Sequence, residues 1–81
     1  MDDKQILHQI TELVDEEHQL RTRRAKGEVS SADETARLRA LEESLDQCWD
    51  LLRRRRAARE AGVNPDEVGA QSIDQVEGYL Q

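Results

Sequence analysis

Eighty-one residues make one domain at most, and a chain this short hides too little apolar surface to be stable unless it is idealised, cross-linked or associated with a partner. With 36% hydrophobic residues, 37% charged residues and only two aromatics, Trp49 and Tyr79, there is no material for a large core around an enclosed substrate cavity, which argues against an enzyme. The net charge of −6 argues against nucleic-acid binding, which needs a positive surface to displace counterions. The single cysteine, Cys48, cannot form an internal disulfide, and no apolar run is long enough for a signal segment or a membrane span, so a cytoplasmic protein is expected.

From Asp3 to about Lys26, Ile6, Ile10, Leu13 and Leu20 recur at spacings of a helical stripe, with Leu7 and Val14 on its shoulder. Asp2 or Asp3 suits the positive end of that helix, Arg21, Arg23, Arg24 and Lys26 the negative end, and Gly27 stops it. After a short connection, Ser31 and Glu34 have the spacing of a capping box, and a second helix is predicted over 31–61. Leu38, Leu41, Leu45, Cys48 and Leu52 form its heptad seam, and Gly62 ends it.

Residues 63–81 form an acidic tail, in which 62–81 carry four acids and no base. Asn64-Pro65-Asp66-Glu67 reads as a capped single turn, and Ser72 as the cap of a last short helix with Ile73, Val76 and Leu80 on one face and Tyr79 beside them.

A connection of about four residues makes neighbouring helices antiparallel, with facing residue numbers totalling about 58. That register matches Leu13 with Leu45, Ile10 with Cys48 and Ile6 with Leu52, and brings Arg24 towards Glu34 and Asp3 towards the Arg53–Arg56 run. The fold class is therefore all-α: residues 1–62 form an antiparallel, coiled-coil-like hairpin, followed by a short helical tail. Leu7, Val14, Trp49 and Leu51 are left as an apolar strip outside the seam, and pairing of two hairpins into a homodimeric four-helix bundle is the simplest way to cover it.

Three clusters are candidates for chemistry. Asp15 and His18 have the i, i+3 spacing at which a carboxylate and an imidazole share a metal, and with Glu43 and Asp46 of the second helix they form a candidate iron, manganese or zinc site of the di-metal bundle type; the plainer alternative is a solvated acidic face with no cofactor. Arg53, Arg54, Arg56 and Arg59 could hold an anion or the acidic tail, although a run that circles the helix cannot all face one ligand. Cys48 falls on the seam between acidic neighbours, where it packs as a small hydrophobe rather than reacting as a thiolate. Glu17 interrupts the first stripe and calls for a basic partner such as Arg21, Arg37 or Arg39.

The Leu13–His18 run, the Leu45–Arg53 stretch with its Asp-Gln-Cys-Trp-Asp core, the Arg59–Gly62 turn and the closing Val76–Tyr79 together resemble a small actinobacterial family of unknown function. The resemblance implies a bacterial cytoplasmic setting and no particular activity. The reading is a noncatalytic helical interaction module, partnered by its own copy and by another protein, with a metal-binding bundle as the alternative.

Overall fold

The computed structural model describes residues 1–80, and the side chains of residues 1–78. Helix α1 spans Asp3–Ala25 and α2 spans Ser31–Glu60; a 3-10 turn at Pro65–Glu67 leads to α3, Ile73–Leu80. Each start has a side-chain cap. Asp2 accepts from the Gln5 amide at 2.8 Å while the Gln5 side chain accepts from the Asp2 amide at 2.9 Å, a reciprocal capping box. Ser72 and Gln75 repeat that arrangement before α3, and Asn64 caps the 3-10 turn. For α2 the cap is Ser30, one residue earlier than the Ser31–Glu34 spacing predicts. Glu34 is thereby moved past the capping position and is spent on an ion pair instead.

Both long helices end on the same device. The Gly27 amide donates to Arg24 O and the Glu28 amide to Arg23 O; Gly62 and Val63 do the same to Arg59 O and Ala58 O. This is the Schellman arrangement, and it places each glycine at positive φ, 74° and 76°, where a side chain is unfavourable.

The antiparallel register is the one the apolar stripes demand. Ile6, Ile10, Cys48 and Leu51 form the buried cluster, with Leu13, Leu45, Leu52 and Val68 packed on it. At the turn end, Leu20 and Leu41 are buried separately. Two ion pairs whose numbers total 58 mark the two ends of the hairpin: Arg24 Nε lies 2.7 Å from Glu34 Oε2, and Arg55 Nε lies 2.7 Å from Asp3 Oδ1.

Among the described residues α3 packs on α2 and not on α1. The three helices therefore stand in a row with α2 in the middle, a single layer whose extents are 51 × 25 × 13 Å. Its radius of gyration, 15.2 Å, exceeds the roughly 12 Å of a compact 81-residue domain. Its accessible surface, 5756 Å², exceeds the roughly 5000 Å² of a compact monomer of this mass. No helix among the described residues is long and apolar enough to cross a membrane.

Candidate functional site: a bare flank and a strapped flank

A hairpin has two sides along its seam. In two antiparallel right-handed helices, the residue after each seam position falls on the same side in both helices. Leu7 follows Ile6, Val14 follows Leu13 and Trp49 follows Cys48, so all three flank one side. They are 48%, 52% and 46% exposed, large fractions for side chains of this size.

Leu51 does not belong with them. It is buried in the chain's own core, because it points to the opposite flank, as part of the cluster against which Val68 from the tail packs. The sequence reading placed all four residues in one strip; the tail divides them.

The tail is held as a strap by polar contacts to α2. Arg55, 4% exposed, donates to Asp3, to the Pro65 carbonyl at 3.0 Å and to Asp66 at 3.1 Å. Arg54 donates to the Gly69 carbonyl at 2.7 Å, and Gln47 donates to the Gln71 carbonyl at 2.8 Å. Val76 of α3 is fully buried. The guanidinium groups of Arg59 and Arg55 hold the Asp3 carboxyl below the usual carboxylate range, and Asp3 in turn raises Arg55.

The arginine run thus divides by direction. Arg54 and Arg55 face the strap, Arg59 pairs with Asp3 at 2.7 Å, Arg56 pairs with Glu60 along the helix, and Arg53 lies 3.8 Å from Asp50. Arg55, absent from the residues singled out by sequence, is the one that joins three segments. Its signal was present in the register, since 55 and 3 face each other.

The four candidate metal ligands are not brought together within one chain. Asp15 and His18 are exposed on α1, whereas Glu43 and Asp46 line an open cleft between α2 and α3, on the side of α2 turned away from α1. No group of three or more His, Cys, Asp or Glu side chains suited to a metal ion converges among the described residues. Glu17 finds its base along the helix, accepting from Arg21 at 3.3 Å, and Arg37 pairs with Glu16 across the hairpin. Burial pushes the Cys48 thiol up, away from thiolate chemistry.

Two buried carboxylates carry no hydrogen bond on one oxygen. Glu34 Oε2 is close to Arg24 but not aligned for a bond, and Asp50 Oδ2 has only Arg54, 3.9 Å away. Asp50 is 2% exposed. Composition hides such a residue, because an acid beside two arginines reads as a surface pair.

The chain belongs to the family described as "Protein of unknown function (DUF2630)", whose model matches residues 2–81. It is similar to an uncharacterized protein of Mycobacterium bovis and to one of Mycobacterium tuberculosis, each 48% identical over 77 residues, covering 95% of this chain and 88% of the relative. No solved structure matches.

Proposed function

We propose that this member of the family is a noncatalytic helical interaction module, acting as a homodimer in the cytoplasm, which presents its assembled surface to another protein. The observation that carries the reading is the single helical layer. Domains are ordinarily built from two layers packed around a core, and a row of three helices 13 Å thick is one layer. Its bare flank holds Leu7, Val14 and Trp49, an aromatic anchor with two aliphatic neighbours.

A second copy is the simplest second layer. A two-fold axis lets one flank cover the same flank, giving a four-helix bundle from two hairpins. A face of 51 × 25 Å offers on the order of 1000 Å², above the roughly 800 Å² per partner of a stable interface.

Light scattering on the full chain from 2 to 100 µM tests the reading. A dimer mass for the wild type and a monomer mass for Trp49→Glu, with helix content retained in both, is the expected result. A wild-type mass that stays monomeric throughout that range defeats the proposal.

A further inference from the structure

The strap seats α3 on a surface of its own sign. The cleft between α2 and α3, about 460 Å³, is lined by the carboxylates of Glu42, Glu43, Asp46, Asp74 and Glu77 against the base Arg39. Beside it on α2, Gln47 and Arg54 hold the strap backbone at Gln71 and Gly69. Asp50 lies between them in the helix, three residues after Gln47 and four before Arg54, and so on the same face. Its carboxylate is 2% exposed, with an oxygen that receives no hydrogen bond. A buried carboxylate oxygen with no hydrogen bond and only arginines nearly 4 Å away for compensation is costly, and so are like charges gathered in one cleft.

What holds α3 is therefore its apolar face, with Val76 fully buried, and the backbone bonds of the strap. Its charged side chains oppose the seat. We propose that the face of α2 beneath α3 is a docking groove for a basic amphipathic helix of a partner protein, and that α3 is its acidic place-holder. The groove already accepts a helix, as α3 demonstrates, and its charge selects one bearing Lys or Arg where α3 bears Asp74 and Glu77. Such a helix gains Coulomb attraction at the three α2 carboxylates, Glu42, Glu43 and Asp46, of which Glu43 is already paired with Arg39, where the acids of α3 meet repulsion.

The proton balance of the cleft agrees. Partial desolvation, then the adjacent Asp46 and Glu43 carboxyls, push Glu77 up, with Arg39 opposing. A raised acid stabilises the closed strap in acid and loses that contribution as pH rises through the raised value.

The test titrates the full-length protein, isotope-labelled, at pH 7 with two synthetic peptides spanning residues 65–80. One has the native sequence; the other carries Asp74→Lys and Glu77→Lys. The lysine peptide is expected to shift the amides of Glu43, Gln47 and Asp50, to bind at least tenfold more tightly than the native peptide, and to lower hydrogen-exchange protection in α3 as it is displaced. Full-length Glu43→Gln/Asp46→Asn should shrink that preference below threefold. Equal binding of the two peptides, absence of binding by both, shifts confined to other surfaces, or a preference unchanged in the double variant would each overturn the proposal.

Discussion

Asp3 and Arg55 lie 52 positions apart in sequence and 2.7 Å apart in space, and this bond fixes where the hairpin's open end closes. Arg55 spends its remaining donors on Asp66 and the Pro65 carbonyl, so one side chain ties the start of α1, the end of α2 and the strap together. Geometry of this kind suits the planar fork of arginine and not the point charge of lysine. Arg55→Lys should therefore loosen residues 63–70 and fray the first turn of α1 while leaving the turn end of the hairpin intact. Residue-resolved hydrogen exchange measures this; uniform loss of protection along both helices would show that Arg55 has no such local role.

The same pair sets an acid limit. Asp3 is held below its ordinary value, first by Arg59 and then by Arg55, so the folded chain binds this proton less readily than the unfolded chain. The stabilisation is fully present above the free aspartate value of about 4 and is lost as pH falls through the lowered one. Thermal melts between pH 2 and 6 should show a stability loss at the acid end that is smaller in Asp3→Asn. An identical acid profile in the variant would place the loss elsewhere.

Much of this architecture is readable in the chain, because it rests on local rules that few tertiary forces oppose. The stripes Ile6-Ile10-Leu13 and Leu45-Cys48-Leu52 and the glycines at 27 and 62 are enough for two helices and one register. What the chain conceals is how the tail docks. Its single turn and last short helix are announced by the caps at Asn64 and Ser72, but it is held through backbone carbonyls of Pro65, Gly69 and Gln71, which leave no trace in a pattern of side chains. For that reason Leu51 reads as exposed when it is covered. The resemblance to an actinobacterial family of unknown function holds over nearly the whole chain.

Ile6 is fully buried where α1, α2 and the strap meet. Ile6→Ala should destabilise the fold by about 3 kcal/mol, since such truncations lose both transfer energy and packing. Urea unfolding read by far-ultraviolet dichroism measures it. A cost below about 1 kcal/mol, the scale of a single methylene, would mean that this site collapses without a cavity.

Gly27 has a φ of 74° with nothing within 4 Å of the position a Cβ would take. The cost of Gly27→Ala is thus conformational rather than steric, about 1 kcal/mol. Asparagine, which tolerates the left-handed region better, should cost less than alanine. Chemical denaturation of the two variants checks the order, and an asparagine variant no better than alanine would speak against the left-handed cap.

Cys48 is buried in the core, and its thiol is raised by that burial. Its reaction with a disulfide reagent at pH 8 should proceed at the rate at which the hairpin opens, and accelerate many-fold in urea. Labelling as fast in the folded protein as in a free thiol would contradict the packing given for this residue.

The bare flank of Leu7, Val14 and Trp49 is where the whole account is most exposed to test. Mixing isotope-labelled and unlabelled protein and recording only intermolecular proton contacts asks what covers Trp49. Contacts from its indole to Leu7 or Val14 methyls of another copy are the predicted result. A concentrated sample with no intermolecular contact at the indole, and with Trp49 still open to a soluble quencher, would contradict it.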